Sequence, residues 1–285
     1  MNYTMSSSPY ALPQYAAILV SGPEAVSYLQ GQLSLDLDTL GPARMELASV
    51  NSAQGRVQAV VWLLSRPEGI VLIVSSQLVE ATIARLRKYT LRAKVRIEPL
   101  AGTLEIRGSD DAFDAEPQTH HYQDGISRVR WPGSATRTLW LLPASQVQAS
   151  DAEGAVRWHL ADIRAGLPQV YSATHEAFVA QMLNLDLLGG VSFEKGCYTG
   201  QEIIARTHFR GTVKRRMLRF KGGTDVPVPG ARVTSAGAHA GDVVDAIQTP
   251  EGCELLAVVN LAQRDSELTI GETRLEPLAL PYEIS

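Results

Sequence analysis

Lys195-Gly196-Cys197-Tyr198-Thr199-Gly200-Gln201-Glu202 sets a thiol and a cation directly before a capped helix. Thr199 reads as an N-cap and Glu202 as its partner three residues on, a T-x-x-E capping box running into the apolar Ile203, Ile204 and Ala205. Cys197 then lies just outside a helix N-terminus. There the open amide groups and the helix dipole favour an anion, and Lys195 adds to that if its ammonium points the same way. Gly196 and Gly200 allow backbone geometry that a side chain forbids. On this physics alone a functional thiol and a buried cysteine in a glycine turn are equally good readings.

Outward from the octet, Asn184-Leu185 and Leu188-Gly189-Gly190-Val191-Ser192-Phe193 lead in, and Ile203-Ile204-Ala205-Arg206 and Phe209-Arg210-Gly211 follow. Across Gln181 to Arg216 the chain resembles the YgfZ family. Those are folate-binding proteins related in fold to the aminomethyltransferase (T-protein) of glycine cleavage and associated with iron-sulfur enzymes and tRNA modification. The K-G-C-Y-x-G-Q-E pattern is specific. Weaker matches at Leu29-Gln30-Gly31-Gln32, Gln54-Gly55-Arg56 and Ala165-Gly166-Leu167-Pro168 extend the likeness over most of the chain, with little from residues 108–150. The resemblance implies an α+β fold of antiparallel sheets with packed helices, like that of the T-protein, and tetrahydrofolate or a derivative as cofactor. It also implies service to iron-sulfur enzymes or their assembly factors.

In that family two tryptophans contact folate, one at the start of the first strand and one in the helix before the A-G-x-P turn. The second matches Trp158; the first falls on Tyr15, a departure that offers a smaller face. Read without the resemblance, Trp158 is a core aromatic on an amphipathic helix. The aminomethyltransferases carry an aspartate pair after the Gln54-Gly55-Arg56 turn, where this chain has Gln58 and Ala59. A neutral amide cannot take the role of a carboxylate beside a reacting amine, so transferase chemistry is expected to be lost while folate binding survives. Gly55 itself reads as a hairpin turn.

The chain has 285 residues, 45% of them hydrophobic and 20% charged, with a formal net charge of -4, so nothing global points to nucleic acid. Met1 to Ser8 is polar and uncharged, without the basic start and apolar core of a secretory signal, and no apolar run is long enough to span a bilayer; a cytoplasmic protein is expected. Two cysteines, Cys197 and Cys253, exclude a disulfide framework and a CxxC zinc site. They also disfavour a cluster held by one subunit, since iron-sulfur centres usually take four thiolates. Cys253 lies in an apolar run that reads as a core strand.

Tyr15 to Val20 reads as a strand, and Ser21-Gly22-Pro23-Glu24 as a helix start with its own capping box. Arg44 to Val50, Arg56 to Leu64 and Ile70 to Ser75 are strand-like runs joined by turn residues, an antiparallel meander. A helix over Gln77 to Leu91, strands at Lys94 to Glu98 and Thr103 to Arg107, and helices over Val156 to Ala165 and Thr174 to Leu188 follow. Asp110 to Ser127 looks like an exposed excursion in which His120 and His121 are solvated. Beyond Thr212, short strands with Gly and Pro turns predict a small β-barrel. The expected division is a folate-binding α+β region over 1–211, built of two intertwined subdomains, and the barrel over 212–285.

Between Ile203 and Gly223 stand Arg206, Arg210, Lys214, Arg215, Arg216, Arg219 and Lys221, with no acidic residue. Polyglutamate or RNA phosphates suit such a stretch, and so does a solvated face balanced by acids elsewhere in the fold, the favoured reading for most of these residues. Arg206 and Arg210, nearest the octet, are the candidates for ligand contact. The expected function is a folate-binding accessory protein for iron-sulfur enzymes with Cys197 as its thiol. A folate-dependent one-carbon transferase is the alternative, and direct tRNA binding is less favoured.

Overall fold

The computed structural model describes residues 9–111, 113–133, 136–146 and 152–284, and among them the chain builds three sheets. Met1 to Ser8 lies outside the described residues. β1 (Tyr10–Ala11) and β2 (Tyr15–Ser21) lead into α1 (Ala25–Gln30), followed by β3 (Met45–Asn51), β4 (Val57–Arg66) and β5 (Gly69–Ser75) in the meander that the turn residues predict. α2 (Val79–Arg87) buries Thr82, Ile83 and Leu86, and β6 (Arg96–Pro99) pairs with β2, giving the order β3-β4-β5-β2-β6. Runs such as Val60-Val61-Trp62-Leu63-Leu64 are buried throughout, as in a sheet covered on both faces.

β7 (Leu104–Ser109), β8 (His120–Gln123), β9 (Ile126–Arg130) and β10 (Thr138–Pro143) form a second sheet with β1 at its edge, in the order β1-β7-β10-β9-β8. α3 (Ala152–Arg164) packs on it, and α4 (Gln201–Arg210) follows the octet. The third sheet takes β11 (Arg215–Gly222), β12 (Arg232–Ser235), β13 (Ala238–Thr249), β14 (Gly252–Asn260), β15 (Thr269–Ile270), β16 (Thr273–Arg274) and β17 (Glu276–Leu278). Its order is β16-β15-β12-β13-β14-β11-β17, a nearly closed barrel-like sheet. Successive side chains of a strand point to opposite faces. On β14, Cys253, Leu255, Ala257 and Val259 therefore fill the barrel with Phe220 and Val233, while Leu256 and Val258 join the main core beside Met217, Val244 and Ile247. Among the described residues no helix is long and apolar enough to cross a membrane.

Three local expectations give way. Thr174 to Leu188 is not a helix but 3-10 turns at Ser172–Thr174 and Ala180–Leu183. Its backbone is committed to the first sheet, since Val57 donates to Phe178 (2.8 Å) and Glu176 donates to Val57 (3.0 Å). Asn184 then turns left-handed, with its amide nitrogen donating to Met217 at 2.8 Å. The helix after Pro23 begins at Ala25 without a side-chain cap, because the Glu24 carboxylate accepts from the Lys94 amide (2.7 Å) instead. The excursion after Asp110 is partly core. His120 is buried and held between the Pro42 carbonyl (2.9 Å) and the Ser127 hydroxyl (3.1 Å), and burial pulls its pKa down.

Candidate functional site

Two short motifs far apart in sequence meet at the octet. The Thr199 amide donates to Gly31 (3.2 Å), which places Gln30-Gly31-Gln32 under the loop. The β3–β4 turn carries Gln54-Gly55-Arg56, and a Cβ at Gly55 would lie 2.9 Å from Ile203 Cβ. A Cβ at Gly200 would lie 2.5 Å from the Ser52 carbonyl, and both glycines hold positive φ, +70° and +83°. The turn and the start of α4 therefore interlock backbone to backbone, a contact that only glycine permits at both positions. Arg85 of α2 closes the same corner by donating to Asn51 O (3.2 Å) and Gln32 Oε1 (3.3 Å), and burial lowers its pKa.

The capping box is not formed. Gly200, left-handed, is the N-cap of α4, and Glu202 accepts from Arg206 at 2.7 Å along the exposed helix face. Thr199 is displaced from the cap because the glycine at 200 takes the turn that brings the chain against Ser52. Lys195 is buried and its ammonium donates to Gln30 O (2.7 Å), Leu33 O (3.0 Å) and Leu35 O. Burial pulls its pKa down to about 8, with Asp36 and Asp38 drawing it back up. This cation braces the loop from below, with its donors committed to carbonyls. Tyr198 is buried beneath it, its ring 5.2 Å from the ammonium. Gln201 reaches back to the Lys195 carbonyl (3.5 Å), and Gly196 is exposed. Cys197 is exposed on this braced loop, whereas Cys253 is buried and its thiol pKa is pushed up by burial.

The second group of predicted residues lies at the junction of the sheets. α3 buries Gly154, Trp158, Asp162 and Ile163 along one face. Asp162 accepts from Tyr15 of β2 (2.7 Å), from the Trp131 indole (2.8 Å) and from Arg137 (2.8 Å). Burial, then Asp162, holds the Tyr15 hydroxyl well above its ordinary pKa. Trp131 joins the predicted pair, its ring centroid 5.7 Å from Tyr15 and 5.4 Å from Trp158. Tyr15 also lines a cavity of about 260 Å³ with Leu12, Ala17, Leu104 and Ile106. That apolar wall suits one face of a flat ring. Trp158 is fully buried, its ring covered by Trp131, by the Arg137 guanidinium at 4.6 Å and by the backbone at Gly108. Its indole nitrogen has no hydrogen-bond partner among the described residues. The residues thus fit a pterin in part: Tyr15 offers a face, and Trp158 offers one only when Arg137 or Trp131 moves.

Arg206 and Arg210 stand on α4, which shares the octet corner and not the α3 junction. The predicted set is therefore divided between two places. Arg137, Asp162, Trp131 and Arg85 are not among the residues that the sequence singles out for a site. A carboxylate four residues after Trp158, on the apolar stripe of its own helix, is the signal that points to Asp162.

On the other side of α3, His159 Nε2 lies 2.8 Å from Asp245 Oδ2, which also accepts from the Tyr171 hydroxyl (2.8 Å). Burial works against the charged imidazole, but Asp245 wins and its pKa is raised. A raised folded-state pKa gives stability that is full below the unfolded value and is lost as pH rises through the folded one. His159→Gln is therefore expected to flatten the stability profile above about pH 6.5, checked by urea unfolding at a series of pH values.

No family model matches the chain. It is 30% identical to the tRNA-modifying protein YgfZ of Yersinia pseudotuberculosis serotype IB (strain PB1/+), with 96% of this chain and 92% of that protein covered. It is 29% identical to the protein of the same name from Cronobacter sakazakii (strain ATCC BAA-894), covering 87% and 83%. The fold is that of the glycine cleavage system aminomethyltransferase T from Bartonella henselae, at a TM-score of 0.77 and 15% identity over 96% of this chain and 85% of that one. The octet, the motifs gathered around it and this likeness along almost the whole length agree, and the chain belongs to the YgfZ family of tRNA-modifying proteins.

Proposed function

We propose that the protein is a tetrahydrofolate-binding accessory factor of the cytoplasm that supports maturation or repair of iron-sulfur enzymes, tRNA-modifying ones among them, with Cys197 as its functional thiol. Residues 1–211 would hold the folate and 212–285 the closing barrel. The observation that carries the reading is the presentation of Cys197: an exposed thiol on a loop braced by a buried lysine, where three motifs converge. Sulfur or iron relay, redox protection and transient ligation of a partner's cluster all need such an accessible thiol. Cys197→Ala is expected to leave the fold and tetrahydrofolate binding intact and to abolish support of iron-sulfur enzymes in a strain lacking the wild-type protein. Full support by that variant would remove the thiol from the function.

One contact favours the alternative, a one-carbon transferase. Gln58 donates to Glu176 Oε1 at 2.7 Å, so a carboxylate lies beside the residue that, by the resemblance, stands where the transferases carry their aspartate pair. Turnover of a one-carbon folate by the pure protein, lost in Glu176→Gln and kept in Cys197→Ala, would set this reading above the first.

A further inference from the structure

We propose that the last turn of α4 and the entry to β11 form a docking surface for single-stranded RNA beside the Cys197 loop. The seven basic residues between Ile203 and Gly223 separate into two groups. Four are tied to acids: Arg206 to Glu202 (2.7 Å), Arg216 to Asp186 (2.6 Å), Arg219 to Glu254 (2.6 Å) and Lys221 to Glu251 (3.0 Å). Arg210, Lys214 and Arg215 make no ion pair among the described residues, and the first two are exposed. The balance by acidic neighbours expected for this stretch thus fails where the chain leaves α4. Arg210 also sits at a helix C-terminus, which favours a cation, but the dipole fades within a turn and does not account for Lys214 and Arg215.

The same place carries aromatic rings with open faces. Phe193 and His208 stack at 3.7 Å between centroids and 13° between planes. Phe209 meets His208 edge-on at 4.8 Å and is 67% exposed. Unpaired cations alone would suit any anion, an acidic protein surface included. Cations interleaved with exposed flat rings match a strand whose phosphates are neutralised while its unpaired bases stack. A duplex hides its base faces and has no use for the rings. Phe193 opens the loop that carries Cys197, and α4 spans about 15 Å at 1.5 Å per residue, so a bound strand lies within one short helix of the thiol. Glu202, in the first turn of α4, is paired with Arg206, one turn before the exposed Arg210.

The inference is independent of the folate and thiol reading. Its test is fluorescence anisotropy with a short fluorescein-labelled single-stranded RNA of mixed sequence and the full-length protein, across a salt series. Three phosphate contacts predict a slope of log affinity on log salt of about -2, at about -0.7 per contact on single strands. Phe209→Ala is expected to weaken binding about tenfold with the slope unchanged. Arg210→Gln with Lys214→Gln is expected to make the slope shallower by about 1.4. All three side chains are exposed, and circular dichroism checks that the variants fold. Absence of binding at the lowest salt overturns the proposal. So does a Phe209→Ala variant of wild-type affinity, or duplex RNA or polyglutamate held as tightly as the single strand.

Discussion

Asp162→Ala is expected to lower stability by about 3–5 kcal/mol. The carboxylate is the common acceptor for Tyr15, Trp131 and Arg137, three donors from two different sheets or their connections. Without it the Arg137 guanidinium, 2% exposed, keeps its bonds to Trp158 O and Pro132 O but has no counter-charge. An uncompensated buried charge costs more than the pair contributed when intact, because the desolvation penalty remains and the Coulomb attraction is gone. At about 2–4 °C per kcal/mol for a chain of this size, the thermal midpoint should fall by about 10 °C. Asp162→Asn, which keeps an acceptor oxygen, should lose less. As a contrast, Glu202→Ala removes an exposed pair on α4 and should move the midpoint little. A drop of less than about 1 kcal/mol for Asp162→Ala, measured by urea unfolding, would mean that another group or water takes over the acceptor's place.

Lys195→Met should combine a large loss of stability with loss of function while Cys197 itself is untouched. Methionine keeps much of the stem's volume but leaves the carbonyls of Gln30, Leu33 and Leu35 without their shared donor. Each buried acceptor stripped of its partner costs about 1–3 kcal/mol, and partial relaxation should bring the total to about 2–4 kcal/mol. The segment under the loop is also held by Ser34, whose hydroxyl donates to Gly190 (2.6 Å) and whose carbonyl accepts from Ser192 (2.8 Å), so the fold should persist. Hydrogen exchange is the readout that separates positioning from plain destabilisation. Protection should fall first around residues 33–35 and 192–199, with the barrel strands unaffected at the same denaturant concentration. Uniform loss of protection, or full support of iron-sulfur enzymes by the variant, would show that the brace does not serve the thiol.

The architecture was legible where local pattern and tertiary demand agree. The meander of β3, β4 and β5 follows from apolar runs broken by turn residues, and the barrel sheet from short strands with Gly and Pro turns. Legibility failed where backbone groups were claimed by distant chain. Thr174 to Leu188 carries helix-like spacing, yet Val57, at the start of β4, takes hydrogen bonds from that segment. The same holds within the octet. Thr199 and Glu202 spell a capping box, but close approach to Ser52 demands a left-handed glycine at 200, and that residue becomes the cap. Lys195 stands two residues from Cys197 in sequence, and only the fold shows that its donors go to carbonyls at the end of α1 and in the segment after it. Tyr15 and Trp158 were visible as aromatic candidates. Their link through Trp131, and the covering of Trp158 by Arg137, depend on contacts that sequence spacing does not encode.

The side-chain joints that α3 makes across the molecule run through carboxylates. Asp162 fastens it to the first two sheets, while Asp245 and Glu254 bind its His159 and Arg164 to the third. The ladders inside each sheet are backbone bonds, which do not titrate in this range. Acid therefore acts on the seam to the third sheet before it acts on the panels: burial pushes the Glu254 carboxyl up, but Arg164 and Arg219 outweigh it and hold it below the usual carboxylate range, so that fastening is lost only as pH falls through the lowered value, while each sheet keeps its internal pairing. The expected acid form is one in which the end of α3 parts from the third sheet while the far-ultraviolet signal is retained.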